Sequence, residues 1–221
     1  WFGGLGIVVV AMIFLPALKV GGMQLFRSEA FDTLGKILPR AGEIALRLTG
    51  IYMALSVLCF VCYVVTGMEH FDAAVHAMTT VSTGGMANTD ASFFDYGPGA
   101  HYVAVVFMIL AALPFVRFIQ LASGHARPLL RDSQVRTFLA VIGVTVAALS
   151  AWVILTLGLP VERTFREVLF NIVSVITGTG FSSTDYNLWG PLAMTVFFVV
   201  GLIGGCSGST VCSVKIFRYQ L

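Results

Sequence analysis

Charge is what this sequence has least of. Lys, Arg, Asp and Glu together make up 11% of 221 residues, against about 25% in an ordinary soluble domain. Hydrophobic residues make up 57%, and the mean hydropathy is +0.91. A water-soluble domain of this size is excluded, and a polytopic membrane protein is expected. Cysteine is also scarce. Cys59, Cys62, Cys206 and Cys212 sit inside apolar runs, with no His or further Cys at metal-binding spacing, so they read as small buried thiols. No nucleophile–base pair is visible, because His76 lies apart from any Ser or Cys nucleophile and acid partner. No catalytic residue and no cofactor are expected. The net charge of +2 points to no nucleic acid, and the expected surroundings are membrane lipid. The chain opens on Trp1 inside an apolar run, without an initiator Met or a signal peptide. An internal fragment of a longer protein is expected.

What the sequence does have is a repeat. The stretch FREVLFNIVSVITGTGF, residues 165–181, echoes FDAAVHAMTTVSTGGM, residues 71–86. Each opens on Phe with an acid within two positions, continues as apolar helix formers, and breaks into Ser, Thr and Gly. Asp90 and Asp185 follow Gly85 and Gly180 at equal spacing. Apolar segments flank both copies. The repeated unit is therefore apolar helix, short helix, Thr/Gly loop, apolar helix. Spanning helices are expected over 1–18, 48–65, 102–124 (kinked at Pro114) and 137–161. Residues 27–47 read as a connection with an interfacial helix interrupted at Pro39. Residues 71–80 and 165–176 are too short to span and fit re-entrant half-helices. The run 186–214 is uncharged and broken by GGCSGS, which weakens any helix there.

Charge is lopsided along this pattern. All thirteen basic residues except Arg163 and Arg166 fall on one side of the spans, which the positive-inside rule makes cytoplasmic. The other side carries Glu69, Asp72, Asp90, Asp95, Glu162, Glu167 and Asp185. Both Thr/Gly loops then enter from outside, at an acidic mouth that concentrates cations.

The loops themselves are Ser82, Thr83, Gly84, Gly85 and Thr177, Gly178, Thr179, Gly180. Backbone at membrane depth must be buried in protein or line a wet cavity. Glycine lets successive carbonyls turn to one axis, Ser and Thr add hydroxyl oxygens, and no acid is present to hold a divalent ion tightly. Half-helices aim the negative ends of their dipoles at the loops. Neutral oxygens in this setting suit an alkali cation. His76 corresponds to Asn171, and both are expected to brace the half-helices by hydrogen bonds.

With WFGGLGIVVVAMIFLP, KVGGMQLFRSE, TTVSTGGM, NIVSVITGTGFSSTDYNLW and GGCSGST, the chain resembles the Trk/Ktr/HKT superfamily of potassium transporters, most closely the bacterial Trk-type membrane subunit. The resemblance implies an all-α polytopic membrane protein of repeated helix–pore half-helix–filter loop–helix units, potassium-channel-like, in the bacterial inner membrane. It implies that residues 1–47 end the first repeat and its cytoplasmic connection, 48–124 form the second, and 125–221 the third. Potassium would pass the carbonyls of Ser82 to Gly85 and Thr177 to Gly180. Gly204, Gly205, Cys206, Ser207, Gly208 and Ser209 would form an intramembrane gate. The family continues there with further small residues where this chain has Val211-Cys212-Ser213, so a shorter or stiffer loop is expected. A cytoplasmic nucleotide-binding regulatory subunit and a second copy of the chain are the implied partners. A sodium-preferring member and a non-conducting scaffold are the alternative readings.

Overall fold

The computed structural model describes residues 1–4 and 41–220. The expected helix over 1–18, beyond its first four residues, and the connection over 27–40 lie outside the described residues.

Helix α1 (Ala41–Val65) is long and apolar enough over Ala45–Val65 to cross a membrane. Its 25 residues rise about 37 Å at 1.5 Å each, enough to cross a hydrocarbon core of about 30 Å. The connection expected to reach residue 47 is therefore shorter, since residues 41–47 are the first turns of this helix. Ala45, Leu48, Tyr52, Ser56, Cys59 and Tyr63 are buried at steps of three and four, which is one helix face. The short α2 (His70–Val81) folds back against α1 and ends at the first Thr/Gly loop.

The third segment departs from expectation. Instead of one span kinked at Pro114, there are two helices, α3 (Pro98–Ala111) and α4 (Phe115–Ala122), bent by 94°. Pro114 has no N–H and disfavours helical geometry at Leu113, so the chain leaves the helix at Ala112. After α5 (Arg127–Arg131) comes the second long span, α6 (Ser133–Leu157). It buries Val135, Phe138, Ile142, Val146, Leu149 and Val153, the same pattern of steps as α1. Asp132 caps α6 by accepting from the Gln134 N–H at 2.9 Å and pairs with Arg117 at 2.8 Å.

Helix α7 (Val161–Ile176) is the second half-helix, longer at its start than expected, and it packs on α6, α3 and α8. A 3₁₀ turn over Tyr186–Trp189 leads into α8 (Pro191–Leu202). Both α3 and α8 begin on proline, a residue preorganised for the first helical position. The uncharged run 186–214 thus holds one short apolar helix and then an irregular segment, which ends at α9 (Ile216–Tyr219). The only pairing of strand type among the described residues is the isolated Ile203–Val214 bridge.

Candidate functional site

The two Thr/Gly loops share one backbone course. At the end of α2, the Gly84 and Gly85 N–H groups both donate to the Thr79 carbonyl, at 2.8 and 3.4 Å. At the end of α7, Thr179 and Gly180 donate to the Ser174 carbonyl, at 2.9 and 3.3 Å. Left-handed dihedrals fall on the second and fourth residues of each loop, with φ of 51° at Thr83, 62° at Gly85, 64° at Gly178 and 88° at Gly180. The sequence repeat is therefore a repeat of conformation.

Alternation of handedness turns side chains and carbonyls to different sides. Ser82, Thr83, Thr177 and Thr179 are buried, whereas Gly84, Gly178 and Gly180 are exposed. The Thr177 hydroxyl donates back to the Val173 carbonyl at 2.7 Å, and that of Ser82 to Thr79 at 3.4 Å. Hydroxyl protons thus tie the loops to their half-helices. Among the described residues, no hydrogen bond reaches the carbonyls of Thr83, Gly84, Gly85, Thr177, Gly178, Thr179 or Gly180. Backbone acceptors are almost always satisfied, and these all lie in the two loops.

The loops touch each other. A Cβ on Gly85 would stand 1.7 Å from the Thr179 carbonyl oxygen. The Phe93 N–H donates to the Ser182 carbonyl at 3.0 Å, and Phe93 packs edge-on against Phe181 with ring centres 4.7 Å apart. Phe93, fully buried, also meets His76, Phe170 and Tyr63. It wedges between the two half-helices, a role that no periodicity in residues 89–97 reveals.

The descending arms are braced as the His76–Asn171 correspondence implies. Asn171 donates to the Glu167 carbonyl at 2.8 Å and to the Ser183 hydroxyl at 3.0 Å. His76 Nδ1 donates to the Asp72 carbonyl at 2.8 Å and its ring stacks on Phe181. Ser174 donates to the Phe181 carbonyl at 2.6 Å, so the unpaired carbonyls end at Gly180. Of the acids at the mouth, Asp72 accepts from Asn88 and Tyr96, Glu167 pairs with Arg163, and Glu162 with Arg166. Burial and the Asp72 carboxylate push the Tyr96 phenol up to about 12, so it stays a donor. Glu69, Asp90, Asp95 and Asp185 are exposed, as is the paired Glu162.

GGCSGS is an irregular segment wedged against the α3–α4 break. Cys206 N–H donates to the Ala112 carbonyl at 3.0 Å, Phe115 N–H to the Gly208 carbonyl at 3.0 Å, and Ser207 N–H to the Gln134 side chain at 2.9 Å. The groups freed by the break are thus satisfied by the segment, and the reverse. Gly205 permits this approach, since a Cβ there would meet the Ala112 carbonyl at 3.0 Å and Val211 at 2.9 Å.

The family model for TrkH, described as a cation transport protein, matches residues 1–220. The chain is 44% identical over its whole length to the Trk system potassium uptake protein TrkI of Halomonas elongata, covering 45% of that protein. It is 34% identical to TrkH of Escherichia coli, covering 47%. The crystal structure of the potassium transporter TrkH from Vibrio parahaemolyticus superposes with a TM-score of 0.84 at 30% identity, over all of this chain and 45% of that one. The chain spans about half the length of the curated relatives it matches.

Proposed function

Because the chain belongs to the TrkH family of cation transport proteins, we propose that it supplies two quarters of a potassium-selective filter, and the gate beneath them, to a longer ion-translocating protein. The observation that carries this reading is the pair of matched loops with unpaired carbonyls, held side by side at Gly85 and Thr179. A dehydrated alkali cation replaces its hydration shell with oxygens of this kind. Gly180, with φ 88° and, among the described residues, no contact within 4 Å of its Cβ position, would meet the next quarter as Gly85 meets Thr179. The segment 204–209 would form the constriction on the cytoplasmic side. A nucleotide-binding subunit on the basic side and a second copy of the chain complete the proposed assembly.

The test is uptake by the full-length protein in cells deficient in potassium transport. Growth at low potassium and rubidium uptake that exceeds sodium uptake are expected. Sodium uptake exceeding rubidium uptake would overturn the potassium assignment, and no uptake of either would overturn the transport reading.

A further inference from the structure

Thr83 is the one residue in the two loops with a side chain and a left-handed backbone; the matching position in the second loop is Gly178. A β-branched residue persists there only when its surroundings hold it. Beside a local bond to Ser82, what holds Thr83 comes from far along the chain. Its hydroxyl lies 2.7 Å from the Ser82 carbonyl, 3.3 Å from the Thr210 carbonyl and 3.5 Å from the Thr210 hydroxyl.

Thr210 is the residue just after GGCSGS, and it is buried. Its hydroxyl lies 3.4 Å from the carbonyl of Val81, the last residue of α2, and 3.2 Å from that of Ala111, the last residue of α3. Its N–H donates to the same Ala111 carbonyl at 3.4 Å. One side chain therefore touches the end of the first half-helix, the α3–α4 break and the strained loop residue. Each contact is long and individually weak, but all converge on one residue.

We infer that Thr210 is a positioning residue that latches the segment 204–209 to the loop 82–85, so that movement of the segment changes the geometry of the loop. The inference rests on the filter and gate reading proposed for these two segments. When the segment moves, Thr210 leaves Thr83, and the left-handed backbone at Thr83 loses its support. The conducting state of the segment and the ion preference of the loop are then coupled through this contact.

The test uses the full-length protein in proteoliposomes, with rubidium and sodium flux measured for wild type, Thr210→Val, Thr210→Ser and Thr83→Ala. Valine keeps the shape and removes the hydroxyl. Thr210→Val should lower the rubidium-to-sodium flux ratio roughly three- to tenfold, the range expected for one lost buried hydrogen bond. Thr210→Ser should restore the ratio. Thr83→Ala should lower it too, and the double variant Thr83→Ala/Thr210→Val should lose less than the product of the two single losses, because the hydroxyl–hydroxyl contact is shared by both. A merely structural role would change the yield of protein and leave the ratio alone. A wild-type ratio in Thr210→Val, or additive losses in the double variant, would overturn the latch while wild-type flux upholds the transport reading. If Thr210→Val fails to fold, the ratio in Thr210→Ala decides instead, a wild-type ratio again overturning the latch. Absence of rubidium flux in wild type would overturn both.

Discussion

Gly85→Ser in the full-length protein is expected to cost at least about a hundredfold in potassium uptake or in preference over sodium. Two effects add. Gly85 has φ 62°, a region that costs an L-residue about 1–2 kcal/mol. Its Cβ position also coincides with backbone, 1.7 Å from the Thr179 oxygen and 2.7 Å from the Thr179 carbon. No rotamer change relieves a contact between a Cβ and a carbonyl. The loops must part, and each tenfold loss corresponds to about 1.4 kcal/mol of misplacement. Gly180→Ser makes the informative contrast. Its φ of 88° carries the backbone strain, but nothing among the described residues would clash within 4 Å. A Gly180→Ser loss as large as that of Gly85→Ser would mean that a further loop packs there. Uptake and selectivity of both variants provide the check, and wild-type behaviour in both would sink the filter assignment.

Deletion of residues 206–208 is expected to raise flux several-fold and, through the adjacent Thr210, to lower the rubidium-to-sodium ratio. The deletion removes the Cys206, Ser207 and Gly208 contacts to Ala112, Gln134 and Phe115. It leaves the loop 82–85 intact but moves the segment that Thr210 adjoins. Gly and Ser contribute little to holding a helix, up to about 1 kcal/mol less per Gly than per Ala, so these anchors, with the bonds of Gly204 to Val214 and of Gly205 to Ile216, fix the segment. A segment held by a few separable contacts can have two arrangements of similar energy. Rubidium and sodium flux in proteoliposomes measure the outcome. Unchanged flux in a well-folded deletion would instead favour a tight helix–helix contact made by small residues.

Much of this site is legible in the sequence, and the reason is local. The Thr/Gly loops follow half-helices whose own residues, Thr79 and Ser174, supply the carbonyls that receive the loop N–H groups. A motif that folds against itself leaves its signature within a few residues. The α3–α4 break is different. Pro114 marks the place, but the 94° turn is completed by bonds to Cys206 and Gly208, which are remote in sequence. A proline alone reads as a kink. Phe93 escapes a sequence reading for the same reason, since its partners Phe170 and Phe181 come from the next repeat. The burial pattern shared by α1 and α6 is masked in the sequence because the lipid-facing residues are apolar too.

The most direct measurement is anomalous diffraction from crystals of the full-length protein grown in rubidium. Rubidium peaks are expected within coordination distance of the carbonyls of Thr83 to Gly85 and Thr177 to Gly180, with none bound to the exposed acids at the mouth. Peaks held by carboxylates, with the carbonyls of both loops left without an ion, would contradict the account.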